Sequence, residues 1–311
     1  MRLLLLGCSG FVGRELVPFL LELGHSVTLV SRRAQPLPGL VGPHLQVLQC
    51  NPADPASWTD PALQAALAAA EGVVNLVGEP IAEKRWTDAH RQLLIDSRVR
   101  TTEALVAAMA ALPAPPRVLV SGSAVGYYGT SPDADFEETS PAGSDLLAGL
   151  CRSWEAAAQQ APAGCRVVAL RIGIVLAADG GALGKMLPVF RLGFGGPVGD
   201  GRQWMSWIAR RDLCRLIATA LEDPTYAGVY NAVAPQPLRM ADFAAALGRC
   251  LGRPSLLPVP APILQLLLGD GASVVLEGQR VRPARLQAAG FSFQYPEIGP
   301  ALAAATSPGS R

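Results

Sequence analysis

The sequence is poor in the features that mark several large classes of protein. Its six cysteines, Cys8, Cys50, Cys151, Cys165, Cys214 and Cys250, include no CxxC pair, and its three histidines stand far apart. No metal-ligand spacing results, so no metal is expected, and the thiols read as small apolar residues in a reducing compartment. Formal net charge is only +1. That argues against nucleic acid or an anionic membrane as the main partner, since both call for a strongly basic face. No apolar run approaches the roughly 20 residues of a membrane span. The leucines at 3–6 are too few for a signal peptide, and the apolar stretch 262–276 is cut by Gly269, Asp270 and Gly271. A cytoplasmic chain, working as a monomer or homodimer on a small molecule, is the expectation.

What is present is apolar and small: half of the 311 residues are hydrophobic, with 32 glycines and 27 prolines. Short apolar runs at 2–6, 26–30, 45–48, 72–76, 117–120 and 166–170 are bounded by Gly, Pro, Asn or Ser and read as strands. Helix-length patterns at 12–23, 61–70, 88–111 and 146–160 lie between them. Continuous apolar strands alternating with helices predict an α/β fold, a Rossmann-type doubly wound parallel sheet covered on both faces. The pattern changes after residue 177. Residues 1–177 are assigned to the Rossmann domain, with some later elements returning to it. Residues 178–256 form a substrate-side region with a glycine-rich loop at 193–201, in which Trp204 and Trp207 are placed over a cleft. Residues 257–306 form a small C-terminal cap, and 307–311 a frayed tail.

The first strand runs into Gly7-Cys8-Ser9-Gly10-Phe11-Val12-Gly13 and then a helix. In a dinucleotide site Gly7 permits the turn, Gly10 admits the pyrophosphate against bare backbone, and Gly13 lets helix and strand pack closely. The helix start, with Ser9 beside it, offers amide donors and a positive partial charge to phosphate. The second strand ends in Ser31-Arg32-Arg33. A carboxylate there would select NAD. Two guanidinium forks and a hydroxyl suit the extra 2′-phosphate instead, so the expected cofactor is NADP.

The GxxGxxG spacing resembles the extended short-chain dehydrogenase/reductase family. Further stretches resemble one atypical branch of it: Asn75-Leu76-Val77-Gly78-Glu79, Arg85-Trp86, Ser97-Arg98, Ser121 to Gly129, Trp154-Glu155, Arg171 to Leu176, Gly195-Gly196-Pro197 and Leu276 to Val281. These are nucleoside-diphosphate-sugar epimerases similar to bacterial YfcH, also labelled SulA-like. The resemblance implies that Gly7, Gly10, Phe11 and Val12 lie at the pyrophosphate and Ser31 and Arg32 at the adenosine phosphate, that Leu76, Val77, Gly78 and Arg98 lie along the cofactor, and that Val175, in the loop after the sixth strand, lies near the nicotinamide. It implies a small-molecule substrate of nucleotide-sugar type.

The resemblance fails at the catalytic pattern. The family's acid/base is a Tyr with a Lys four residues on, one helical turn away, the ammonium lowering the phenol pKa. Here Leu147 and Cys151 occupy those positions, and YxxxK occurs nowhere. Ser123 matches the family's serine. Tyr127 and Tyr128 follow it and are candidates for the missing acid/base. Glu79, Lys185, Arg202 and Trp204 are candidates for substrate contact, and Arg280, Arg282 and Arg285 for a diphosphate. Two readings stay open: an NADP-dependent oxidoreductase or epimerase, and a non-catalytic NADP-binding regulator, consistent with the division-related label.

Overall fold

Leu3 to Leu6 are all essentially inaccessible to solvent. A strand sends alternate side chains to opposite faces, so each face must be covered. Leu3 and Leu5 join one apolar core with Leu16, Val17 and Leu20 of the helix Gly13–Glu22 and Leu213, Leu216 and Ile217 of the helix Arg210–Glu222. Leu4 and Leu6 join a second core with Leu63 and Leu67 of the helix Pro61–Ala69 and Leu105, Val106 and Met109 of the helix Val99–Ala110. The strand is therefore the centre of three layers. The computed structural model describes residues 1–35, 37 and 39–307. Of the tail expected at 307–311, only Ser307 is among them.

The strands in chain order are β1 (Arg2–Leu6), β2 (Ser26–Ser31), β3 (Leu45–Gln49), β4 (Gly72–Asn75), β5 (Val118–Ala124), β6 (Asp135–Phe136), β7 (Arg166–Ile172), β8 (Ile174–Leu176), β9 (Trp204–Met205), β10 (Trp207–Ala209), β11 (Gly228–Ala232), β12 (Leu238–Arg239) and β13 (Arg280–Val281). Seven of them form one sheet in the order β11-β7-β5-β4-β1-β2-β3, and every pairing in it is parallel. This is the doubly wound sheet expected from the alternating pattern. The order reverses between β1 and β4, which opens a crevice at the carboxyl ends of those strands.

Four local features differ from the sequence reading. The pattern at 88–111 is two helices, Asp88–Asp96 and Val99–Ala110, because the chain bends at Ser97-Arg98 and starts a new helix at Val99. The substrate-side region carries a helix ahead of its glycine-rich loop, Gly181–Arg191, whose Leu183, Leu187 and Phe190 are buried. Val175 sits in strand β8, paired to β10, and not in a loop. Trp207 is fully buried in the core around that helix instead of lying over a cleft. The stretch 257–306 divides itself between cores: Leu286, Phe291 and Phe293 pack on the first sheet face, and Leu302 packs with Phe243 and Leu247 of the helix Met240–Leu251.

The fingerprint glycines do different jobs. A Cβ on Gly7, where φ is +73°, would lie 2.4 Å from the backbone after β4. One on Gly13 would lie 1.7 Å from the Cys8 carbonyl oxygen. Packing within the protein alone explains both. A Cβ on Gly10 would meet nothing closer than the Gly7 oxygen at 3.9 Å, so the space above Gly10 is open. Gly13→Ala is therefore expected to cost about 2–4 kcal/mol, and Gly10→Ala less than about 1 kcal/mol. Urea unfolding of the two variants checks the contrast; equal losses would contradict it.

Candidate active site

The turn after β1 opens the helix Gly13–Glu22 with no side-chain cap at Val12. Its first amides therefore meet no capping side chain, and with the open space at Gly10 they fit an anion at the helix start. Phe11 seals the other side: Gly180 and Gly181 pack against its ring, where a Cβ would come within 2.7–3.0 Å. Arg210 fixes the turn from behind. Its guanidinium donates to the Phe11 carbonyl at 3.0 Å and pairs with Glu15 at 2.9 Å and Asp179 at 2.6 Å. Nothing local in the sequence marks Arg210, because its partners come from two distant segments.

At the end of β2, Ser31 is buried and its Oγ accepts from the Arg33 amide at 3.0 Å. The Arg33 guanidinium arches back to donate to the Ser9 carbonyl at 3.1 Å, while Arg32 is exposed beside it. The Arg33 guanidinium thus stands at the rim of the glycine turn. After β4, the Leu76 amide donates to the Leu6 carbonyl at 2.9 Å, and the Leu76–Val77 backbone lies against Gly7. Arg98 packs against bare backbone at Gly78, where a Cβ would fall 2.8 Å from the guanidinium carbon. It donates to the carbonyls of Glu79 at 2.9 Å and Leu94 at 3.2 Å, and burial pulls its pKa below the ordinary value.

A cavity of about 680 Å³ opens between the carboxyl ends of β5 and β7, the helix Leu146–Gln159, and the C-terminal stretch 270–279. Arg98, Ser123, Cys151, Ile174 and Trp204 are on its wall. Ser123 Oγ donates to Glu155 Oε1 at 2.6 Å. Glu155 stands one helical turn beyond Cys151, on the same face. Both its oxygens are held by Arg171, at 2.8 Å from Nε and 2.9 Å from Nη2. Arg171 Nη1 donates to Tyr128 Oη at 2.9 Å, and Tyr128 in turn donates to Asn231 Oδ1 at 2.6 Å. Asn231 Nδ2 closes the chain on the Arg282 carbonyl at 2.8 Å. Burial opposes the charge on Arg171, but the hydrogen bonds and charge of Glu155 outweigh it and hold the guanidinium above its usual value. All five side chains are buried or nearly so, and each donor has an acceptor.

The site residues expected from sequence divide accordingly. Ser123 lines the cavity; neither tyrosine does, although Val125 and Gly126 of the same turn do. Tyr128 is buried, and burial pushes its phenol up to about 12 despite Arg171 and Asn231. Tyr127 lies with its ring over the Arg171 guanidinium, 3.3 Å from ring centre to carbon. Trp204 is on the wall, flanked by Arg239 and Arg280. Glu79 pairs with Lys84 at 3.1 Å, and Lys185 pairs with Glu83 at 3.7 Å. Neither residue lines the cavity, and exposed Arg202 lines a separate outer recess. Arg280 and Arg282 pair with Asp135, and Arg285 bonds the Ala227 carbonyl, so these arginines are engaged within the protein. Glu155 and Arg171 received no role from sequence, although both stand in stretches that carry the resemblance. No group of His, Cys, Asp and Glu among the described residues has the arrangement of a metal site.

Sheet, turn and cleft together define a dinucleotide-binding α/β protein of the short-chain dehydrogenase/reductase type. The chain belongs to the NAD dependent epimerase/dehydratase family, whose profile matches residues 3–232. A domain of unknown function, DUF1731, matches residues 259–305. The chain is 42% identical over 309 residues to the chloroplastic epimerase family protein SDR39U1 homolog of Arabidopsis thaliana, covering 96% of this chain and 84% of the relative. It is 39% identical to the human epimerase family protein SDR39U1, over 97% of this chain and 98% of that one. A crystal structure of human SDR39U1 (isoform 2) with NADPH superposes with a TM-score of 0.85 at 37% identity, covering 98% and 99% of the two chains. A UDP-glucose 4-epimerase from Thermus thermophilus with NAD shares the fold, with a TM-score of 0.76 at 20% identity over 98% and 97%. No helix among the described residues is long and apolar enough to cross a membrane.

Two outcomes follow from the buried groups. Truncating Glu155 to Ala strands the Arg171 charge and is expected to cost about 3–5 kcal/mol, read by urea unfolding; a loss below 1 kcal/mol, on the order of a surface pair, would contradict the network. Burial pushes the Cys151 thiol up to about 11, whereas Cys250 is exposed. Iodoacetamide at pH 8 should therefore label Cys250 well before Cys151, as peptide mass spectrometry would show.

Proposed function

We propose that this chain is an NADP-dependent oxidoreductase in which Ser123 and Glu155 do the proton work elsewhere given to tyrosine and lysine. The observation that carries the reading is the 2.6 Å hydrogen bond from Ser123, on the cavity wall, to buried Glu155. A serine hydroxyl has one hydrogen and two lone pairs. With that hydrogen committed to Glu155, Ser123 turns acceptor capacity toward the cleft, suited to a substrate hydroxyl.

The residues fit the cofactor. Open space at Gly10 and the uncapped helix start suit a pyrophosphate held by Gly7, Ser9, Gly10, Phe11 and Val12. Ser31, Arg32 and Arg33 suit a 2′-phosphate, Leu76, Val77, Gly78 and Arg98 the ribose side, and Val175 the nicotinamide side. When bound, NADP supplies an acceptor or donor of hydride at a substrate carbon. In oxidation Ser123 Oγ takes the proton that the substrate hydroxyl releases and passes its own to Glu155 Oε1; in reduction, where the carbon receives hydride, the reverse order delivers one proton to the carbonyl oxygen. Arg171 holds Glu155 in place between turnovers, and Tyr128 and Asn231 hold Arg171. Tyr128 is left out of the proton path, since it is sealed from the cleft and its phenol is pushed up to about 12. A cytoplasmic, reducing setting belongs to the same reading, supported by six free thiols.

One observation favours the rival reading of a non-catalytic, cofactor-dependent binding protein: Leu147 and Cys151 stand in place of the family's acid/base pair. Turnover separates the two. Purified chain with NADPH is expected to reduce members of a ketone panel. Ser123→Ala should lower kcat by about 10²–10⁴-fold while NADPH affinity stays within a factor of two or so. Unchanged turnover in Ser123→Ala would rule out the role. NADPH should also bind more tightly than NADH by calorimetry, and Arg32→Ala with Arg33→Ala should remove most of the difference; equal affinities in the unaltered chain would overturn the NADP assignment.

A further inference from the structure

The wall of the cleft restricts what it can hold. Ile81, Trp86, Leu147, Leu150, Trp154 and Val274 line it. The three indole N–H groups on the wall are spent inside the protein, Trp86 on the Ile81 carbonyl at 2.9 Å, Trp154 on Thr102 Oγ1 at 3.1 Å and Trp204 on the Pro132 carbonyl at 2.8 Å. What these rings offer a ligand is therefore their carbon surface.

The charges on the wall point the same way. Three carboxylates, Asp145, Asp270 and Glu277, face two guanidinium groups, Arg91 and Arg98. Arg91 is paired with Asp88 and with Asp270. Arg98 is engaged by two backbone carbonyls. A pyrophosphate carries two negative charges and is held by cations or unspent amides. This cavity offers it a surplus of carboxylate. The recess beyond the Thr130–Glu277 hydrogen bond is no better suited. There Asp133, Asp200, Asp242 and Glu277 outnumber Arg202 and Arg239, and Arg239 stacks on Trp204 while donating to the Pro132 carbonyl.

We propose that the substrate of this cleft is an uncharged hydroxyl or carbonyl compound with an apolar body, and not a nucleoside diphosphate sugar. Its oxygen sits at Ser123 and its carbon skeleton lies against Leu147, Leu150, Trp86 and Val274. The inference rests on the oxidoreductase reading of Ser123, and it narrows the substrate class that reading leaves open. A cavity of about 680 Å³ is within the usual range for a drug-sized ligand, and its apolar walls reward each carbon placed against them.

The test is a binding series on the full chain, with NADP⁺ affinity measured first by calorimetry as a separate titration. Absence of heat in that titration counts against the cofactor reading alone. With NADP⁺ saturating, the methyl ketones from 2-butanone to 2-nonanone and UDP-glucose are then titrated by ligand-observed NMR. Ketone affinity is expected to rise about three- to fourfold per added methylene until the space is full, with no saturable binding of UDP-glucose at millimolar concentration. Val274→Asp should weaken 2-nonanone by about tenfold or more and leave NADP⁺ affinity unaltered; Leu147→Asp provides the same reading should the first variant fail to fold. A flat ketone series, saturable UDP-glucose binding, or 2-nonanone affinity unaffected by both substitutions would each overturn the proposal.

Discussion

Five elements of this protein meet at one buried ion pair. Glu155 comes from a helix, Arg171 from β7, Ser123 from β5, Tyr128 from the turn after β5, and Asn231 from β11. Taking a carboxylate and a guanidinium out of water costs several kcal/mol each, and their attraction returns that only when every remaining donor and acceptor is satisfied. Here the forked guanidinium holds both carboxylate oxygens, Ser123 donates to one of them, and Arg171 Nη1 donates to Tyr128 and to the Glu138 carbonyl. Such a network is poor evidence of stability and good evidence of constraint. It fixes the Ser123 hydrogen in one direction and so fixes which face of the oxygen the cleft meets.

The nucleotide side of the crevice is built by the opposite means, the removal of side chains. Gly7 and Gly13 are glycine because backbone from elsewhere lies where a Cβ would be. Gly10 is glycine where the protein itself leaves room. That difference separates two glycines that packing requires from one that packing does not, within one seven-residue motif. Arg210, Glu15 and Asp179 then hold the turn in place from the rear, so that the open space is kept without a ligand.

The central sheet and its helices were legible in the sequence because their signals are local: apolar runs of strand length, turn residues at their ends, and a glycine motif between strand and helix. The helix Gly181–Arg191 was not, since Gly181, Gly184 and Pro188 weaken the local helical signal, yet Leu183, Leu187 and Phe190 are all buried. The break at Ser97-Arg98 was hidden by helix-forming neighbours on both sides, and it is this break that sends Arg98 back to the carbonyls of Leu94 and Glu79. The candidate site was legible only in part. Ser123 stood out because it matches the family's serine. Glu155 and Arg171 are 16 residues apart on different elements, and no periodicity links them. The adjacent tyrosines drew attention as conspicuous phenols in a glycine-flanked loop, a pattern that says nothing about which way their rings turn.

The claim that Ser123 and Glu155 act as one unit is tested most directly by a double-mutant cycle in kcat, with Ser123→Ala and Glu155→Gln alone and together, on a ketone that the unaltered chain reduces. If one proton path runs through both, either change alone breaks it, and the double variant should be no slower than the slower single variant. Losses that multiply in full, as for two independent contributions, would contradict the account.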